Sequence, residues 1–140
     1  ALMSPVEINV FAVLVCAAFA SASAALWYSP VLFGKRWVQA HGFSEAQQQA
    51  MQQSGPTPYI TAALAYLVTA VVVSALVDYA GATGWTQGLW IGFLCWLGLA
   101  ATVALVGNAF SDKPRTVFFI DTAHHLLYLL VMGAVLAAWR

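Results

Sequence analysis

The sequence predicts an all-α fold, namely an integral membrane bundle of four helices with a short amphipathic cytoplasmic segment between the first and second. Composition is the first observation: of 140 residues, 62% are hydrophobic and only 7% charged, whereas soluble domains are about 25% charged. The second is four apolar segments, at about 8–29, 57–79, 85–108 and 116–139, each near the ~20 residues that cross a ~30 Å hydrocarbon core. We therefore expect residues 1–140 to form a single transmembrane domain.

The first span is rich in small residues between Cys16 and Ala25, which favours close packing against a neighbouring helix. The span lacks a basic leader and is too long for the apolar region of a signal peptide, so we expect it to be retained, with Met3 as the natural start. It ends at Trp27-Tyr28-Ser29-Pro30. There the aromatic pair suits the headgroup level, and the proline disfavours helical geometry.

Residues 31–56 form the sizeable connection between the first and second spans. Its first part alternates apolar residues with Lys35, Arg36 and other polar residues, a pattern that predicts a short interfacial helix. Ser44-Glu-Ala-Gln47 then resembles a capping box at the start of a glutamine-rich helix. We expect two short helices that cover the inner end of the bundle, with a partner surface as the alternative.

The third span begins with Gly84, Gly88 and Gly92, a double G-x-x-x-G motif that we call the glycine face. Small residues at this spacing favour a tight helix crossing, either within the chain or between copies. Trp96 lies too deep in the span to be an interfacial anchor, so its indole N–H should find an acceptor inside the bundle.

The distribution of basic residues predicts the orientation. Four of them lie in the connections after the first and third spans: Lys35, Arg36, Lys113 and Arg115. The turn at 80–84 has none, so both basic connections belong in the cytoplasm and both termini outside, with Arg140 as the exception. Net charge is zero, which argues against nucleic-acid binding and leaves membrane lipid as the expected surroundings.

Ionisable groups are concentrated in the fourth span, within Asp121-Thr-Ala-His124-His125-Leu-Leu-Tyr128. Such groups are costly in hydrocarbon and are usually functional or paired. Residues three, four and seven apart share one broad helix face, and at ~1.5 Å per residue Asp121 lies ~8 Å and His125 ~14 Å from the cytoplasmic start of the span. We therefore predict a polar layer in the inner third of the bilayer. Its members are Tyr28, Asn108, Asp121, His124, His125 and Tyr128.

Two interpretations of this layer stay open. In one, Asp121 accepts hydrogen bonds from a histidine, a tyrosine or Asn108, and the network only holds the helices in register. In the other, the layer binds a cation or relays protons, because histidine changes charge near neutral pH. A metal ion would use Asp121 and His125, and haem, ranked below a metal ion, would use His124 or His125. The sequence identifies no cofactor.

The leading functional hypothesis is a homo-oligomer, joined through the glycine face, whose layer binds a small ligand, ion or proton and supports transport. The alternative is a structural or accessory subunit of a larger membrane complex, contacted through residues 31–53 and the tryptophans of the third span. An enzyme with His125 as a base oriented by Asp121 ranks third. The sequence contains no P-loop, nucleophile elbow, zincin motif or dinucleotide fingerprint.

Several short motifs resemble one bacterial membrane family. They are Trp27-Tyr28-Ser29-Pro30, Phe33-Gly34-Lys35 with Trp37, Asn108, His125-Leu-Leu and Met132-Gly133-Ala134. Together they resemble domain of unknown function 1761 over nearly the whole chain. The resemblance implies a small four-span protein of the bacterial inner membrane, and it implies no activity.

Overall fold

The computed structural model describes residues 5–140, so the expected start at Met3 lies outside the described residues. Those residues form seven α-helices and one π-helical turn, and they contain no strand. In chain order the elements are α1 (Val10–Trp27), α2 (Gly34–His41), α3 (Glu45–Gln53), α4 (Thr57–Tyr79), α5 (Trp85–Cys95), the π-helical turn (Trp96–Ala101), α6 (Thr102–Ala109) and α7 (Arg115–Ala138).

Four helical stretches in the described part of the chain are long and apolar enough to cross a membrane. They are α1, α4, the continuous helix Trp85–Ala109 and α7. Each begins and ends within about two residues of a predicted span. The agreement is expected because a stretch of ~20 apolar residues must satisfy its backbone polar groups within one helix, so the ends of the apolar stretch are also the ends of the helix. The predicted all-α four-helix fold is confirmed.

Helix α7 occupies the centre of the bundle. It packs against α1, α4 and α5, and it is the most buried of the four long helices. The largest fully buried side chains come from three of these helices: Met132 and His124 of α7, Val77 of α4 and Cys16 of α1. The polar residues on this face of α7 therefore lie inside the protein rather than against lipid.

The connection between α1 and α4 contains the two short helices α2 and α3. Helix α2 ends at Gly42, whose φ of 70° is in the left-handed region that favours glycine. Helix α3 begins with the predicted capping box, which is confirmed: the Ser44 hydroxyl accepts from the Gln47 backbone N–H, and the Gln47 side chain accepts from the Ser44 N–H. Helix α2 packs against α7, whereas α3 has no buried residue.

Two residues of the glycine face, Gly88 and Gly92, pack against α7 within the chain. A Cβ on Gly88 would overlap the backbone carbonyl of Gly133, and one on Gly92 would overlap that of Leu129. A Cβ on Gly84 would meet nothing within 4 Å. The tight crossing predicted from the motif is thus intramolecular at Gly88 and Gly92. Joining two copies through these two residues would require α5 and α7 to separate.

This crossing leads to a prediction for stability. Gly88→Ala is expected to lower the free energy of unfolding by about 1–3 kcal/mol, because the added methyl group forces two backbones apart. Gly107→Ala is the matched control, since a Cβ there meets nothing within 4 Å and alanine has the higher helix propensity. Reversible unfolding in mixed micelles, followed by tryptophan fluorescence, measures both variants. Equal effects at the two positions would contradict the close crossing.

Candidate functional site

Three tryptophan side chains donate hydrogen bonds to three consecutive residues of α7. They are Trp27 of α1, Trp37 of α2 and Trp96 of the π-helical turn. The indole nitrogen of Trp27 lies 3.0 Å from the carbonyl oxygen of Ile120, and that of Trp96 lies 2.9 Å from the carbonyl oxygen of Thr122. Trp37 donates to the Asp121 carboxylate at 3.0 Å. These bonds fix the rotation of α7 about its own helix axis at the level of Asp121. The acceptor predicted for the Trp96 indole is confirmed.

The Asp121 carboxylate is held by uncharged donors. Its Oδ1 atom accepts from the Tyr28 hydroxyl at 2.5 Å as well as from the Trp37 indole. Hydrogen bonds to a charged acceptor are stronger than hydrogen bonds between neutral groups. The two bonds to one oxygen therefore fix the position of the carboxylate. Within residues 5–140, Asp121 forms no ion pair, and its Oδ2 atom accepts no hydrogen bond. The half-buried carboxylate therefore keeps one oxygen available.

His124 is buried, with only 1% of its surface exposed. Its Nε2 atom lies 2.9 Å from the Ser23 hydroxyl, which also lies 3.1 Å from the carbonyl oxygen of Ala20. The Ser23 hydroxyl has one proton for these two acceptors, and the tautomer of His124 sets whether Nε2 donates or accepts. No described residue bonds to the other ring nitrogen, Nδ1. An unpartnered nitrogen at this depth is unusual, because buried polar atoms normally have partners.

Aromatic rings surround the His124 imidazole. Their centroids lie 5.2–6.1 Å from its own, and they belong to Trp27, Tyr28, Tyr66 and Tyr128. Tyr28 has a second role, because its hydroxyl bonds to Asp121 while its ring stands edge-on to the imidazole. Tyr28 is therefore the side chain that contacts both ionisable groups. We call Ser23, Tyr28, Trp37, Asp121 and His124 the polar site.

The predicted layer members differ in where they lie. Asp121, His124 and Tyr28 come together, whereas His125 bonds through Nδ1 to the hydroxyl of Tyr128 at 2.9 Å, one turn along α7. Neither histidine forms a hydrogen bond with Asp121 in the described chain. Of the donors expected for Asp121, a tyrosine bonds to it, namely Tyr28, whereas neither histidine nor Asn108 does.

Asn108 lies apart from the polar site. Its side-chain amide donates to the carbonyl oxygens of Lys113 at 3.5 Å and of Pro114 at 3.3 Å. These bonds close the turn between α6 and α7. Its amide is therefore used to shape that connection, and it does not bond to Asp121.

Sequence reasoning missed Ser23, Trp37 and Tyr66 as parts of this region. Ser23 resembled one of several small packing residues, and Tyr66 stands alone in an apolar helix, so neither carries a local signal. Trp37 lies one helical turn after Phe33 on the apolar face of α2, and an apolar helix face packs against another part of the protein. Only the docking of α2 on α7 showed that Asp121 was the partner.

The connection that carries α2 covers the polar site at one end of the bundle. The His41 ring packs on Trp37 with centroids 4.2 Å apart and stacks on Phe43 at 4.7 Å. Lys113, from the connection before α7, donates to the His41 carbonyl oxygen at 2.8 Å. Burial lowers the pKa of the His41 imidazole; the Asp121 charge acts in the opposite direction, and the Lys113 charge lowers the pKa further. The two basic connections therefore meet beside Asp121.

Most of the chain matches one protein family. Residues 11–137, which include the whole polar site, match the family described as "Protein of unknown function (DUF1761)". The chain belongs to this family. The match confirms the resemblance carried by the Trp27 to Pro30 motif, two residues of which contact α7. No curated protein and no solved structure matches the chain.

Metal ligands form no larger cluster in the described part of this DUF1761 chain. Across residues 5–140 there is no group of three or more His, Cys, Asp or Glu side chains that could hold a metal ion. Asp121 and His125, the pair considered for a metal, use Oδ1 and Nδ1 in bonds to other side chains. The polar site offers three kinds of hydrogen-bonding group, namely a carboxylate, a phenol and an imidazole.

Proposed function

We propose that this DUF1761 protein is a multi-pass protein of the bacterial inner membrane that binds protons at the polar site and uses this binding to transport a small ligand or ion. One observation carries the proposal. The buried His124 has an unpartnered Nδ1 atom, and through Tyr28 it neighbours a carboxylate without a cation. A small molecule that bonds to Nδ1 of His124, or a proton bound by Asp121, meets a need that the described residues leave open.

The energetics support a proton as the bound species. An unpaired charge at the centre of a membrane helix costs about 2.5–3.5 kcal/mol on insertion scales, so an intramembrane carboxylate is usually paired or functional. Asp121 is paired only with neutral donors. Protonation of Asp121 removes its charge, so a bound proton lowers the cost of the carboxyl group inside the membrane. Tyr28 contacts both groups, with its hydroxyl bonded to Asp121 and its ring edge beside His124, so it holds the carboxylate next to the imidazole.

Charge placement supports an orientation with both termini outside. Lys113 reaches the carbonyl of His41, so the two basic connections lie at the same end of the bundle. Arg140, the exception to the charge rule, lies at the other end, where it pairs with Asp78 and donates to the Ala82 carbonyl oxygen at 2.6 Å. The Arg140 charge is compensated by Asp78, so it contributes less to the predicted orientation than the basic residues of the two connections. The polar site then faces the cytoplasmic side.

Transport is proposed to require a homo-oligomer, because four helices around a packed centre leave little room for a path inside one chain. The outer face of the helix Trp85–Ala109 offers a surface for a second copy, with Leu99 and Val103 largely exposed. This surface differs from Gly88 and Gly92, which α7 covers. Native mass measurement of the protein in mild detergent tests the oligomer.

The proposal is tested by proton flux into proteoliposomes that contain a pH-sensitive dye and are given a pH gradient. Asp121→Asn keeps the size of the side chain but cannot release a proton, so flux is expected to fall at least about tenfold. Asp112→Asn is the matched control, because the Asp112 side chain is 91% exposed. Flux equal to that of empty liposomes in the parent protein, or unchanged flux in Asp121→Asn, would sink the proposal.

A structural or accessory subunit is the second candidate, and α3 favours it. This helix has no buried residue and exposes Met51, so its surface is free for a partner. A partner that co-purifies in stoichiometric amount, and is lost in Met51→Asp, would support this role. Unchanged proton flux in Met51→Asp would separate it from the transport proposal.

A further inference from the structure

A second polar region lies at the opposite end of the bundle from the polar site. A cavity of about 310 Å³ opens there between the segment before α1, the C-terminal part of α4 and the end of α7. Its polar side chains are Glu7, Asn9, Ser74 and Arg140, and its apolar walls include Leu136 and Trp139. This volume is within the range of about 300–1,000 Å³ typical of small-molecule sites. We call this space the outer cavity.

Ser74 supplies the buried polar group of the outer cavity. Only 7% of the residue is exposed, and its neighbours Val73 and Val77 belong to the apolar core. Other hydroxyls of α4, such as that of Thr69, bond back to the helix backbone, whereas the Ser74 hydroxyl bonds to no described residue. The hydroxyl oxygen opens to the cavity instead of being enclosed by protein, so a molecule in the cavity can bond to it.

The charges around the outer cavity leave one carboxylate without a partner. Arg140 is paired with Asp78, and both polar atoms of Asn9 are used: Oδ1 accepts from the Ala12 N–H at 3.1 Å, and Nδ2 donates to the Trp139 carbonyl oxygen at 3.3 Å. Glu7 is exposed at the edge of the cavity and forms no ion pair within residues 5–140. The net charge that a ligand meets is therefore negative.

We infer that the outer cavity binds an organic ammonium group attached to a short apolar body. The ammonium would pair with the Glu7 carboxylate and donate to the Ser74 hydroxyl oxygen, and the apolar body would lie against Leu136 and Trp139. An indole face also attracts cations. The same chemistry occurs in a free amine and in the ethanolamine headgroup of a phospholipid. This site is separate from the polar site and does not depend on proton transport.

Calorimetric titration of the full chain in phosphatidylglycerol nanodiscs, with phenethylammonium as the probe, tests the inference. Phenylacetate has a similar body with the opposite charge, and 2-phenylethanol is neutral; both are expected to bind at least about tenfold more weakly. Glu7→Gln should weaken phenethylammonium binding by about two- to fivefold, because the carboxylate is exposed, and Ser74→Ala by about three- to tenfold. Glu45→Gln, an exposed carboxylate on α3, is the control and should change nothing.

The same titration in nanodiscs that contain phosphatidylethanolamine separates the two sources of the ammonium. A lower apparent affinity means that the lipid headgroup competes for the cavity, and an equal affinity means that the site takes free amines. Phenylacetate binding as tight as phenethylammonium binding, or unchanged binding in Glu7→Gln, would overturn the inference. Because the readout is binding, the result does not depend on the flux assay.

Discussion

His124→Ala is expected to lower the free energy of unfolding by about 2–5 kcal/mol, one of the larger losses for a single change in this chain. The ring is 1% exposed and is packed among aromatic side chains, so its removal leaves a cavity that the rigid rings cannot close. Reversible unfolding in mixed micelles measures the loss. His125→Ala is the control, because His125 is only partly buried; an equal or larger loss there would contradict the central position of His124.

A double variant separates the structural role of His124 from its proposed proton-binding role. His124→Phe with Ser23→Ala removes both partners of the 2.9 Å hydrogen bond and keeps an aromatic ring in the space. Replacing both partners by apolar groups of similar shape is nearly neutral or stabilising, so the double variant should unfold close to the parent. If the polar site binds protons, the variant is stable yet loses flux. A stable variant with full flux would show that His124 only holds the helices together.

Trp37→Phe is expected to free α2 from α7, and backbone hydrogen exchange in Gly34–His41 should become about 10- to 100-fold faster. A hydrogen bond to a charged group contributes about 1.5–3 kcal/mol, which corresponds to an exchange change of that size. Phenylalanine keeps an aromatic ring beside His41 but lacks the N–H that binds Asp121. The variant therefore tests the hydrogen bond more than the packing.

The control for Trp37→Phe is Trp85→Phe, because Trp85 is largely exposed at the other end of the bundle. Hydrogen exchange followed by mass spectrometry resolves α2 from the spans in both variants. Unchanged exchange in Gly34–His41 after loss of the Trp37 indole would contradict the view that Asp121 holds α2. Faster exchange there would indicate that α2 detaches from α7 more often. Each detachment opens the polar site on the side of the basic connections, so proton access to the site should increase.

The sequence predicted those features that depend on neighbours along the chain. Four apolar stretches of about 20 residues located the long helices, because each helix bonds its own backbone and needs only length and apolarity to cross lipid. The capping box at Ser44 and Gln47 involves residues three apart and was recognisable for the same reason. The depth of Trp96 in its span likewise required an acceptor for its indole N–H, although not a particular one.

The partners of the polar groups depended on how the helices pack. Spacing placed Asp121 near both histidines on α7, yet the carboxylate bonds to Tyr28 and Trp37, which are more than 80 residues away in sequence. A shared helix face brings Cβ atoms close, but the nearest donor with free N–H or O–H decides which bond forms. The same holds for the G-x-x-x-G motif, which specifies a close approach but not the helix that approaches, here α7.

The sequence by itself thus determined the fold class, the position of the helices and the presence of polar groups within apolar helices, since these follow from local hydropathy and backbone bonding. Tertiary structure alone decided that α7 is central and that His124, rather than His125, is the buried imidazole. It also decided that indole groups from separate elements bond to three consecutive residues of α7, Ile120 to Thr122. Each of these depends on contacts between residues far apart in the chain, and such contacts are set by the packing of all helices together.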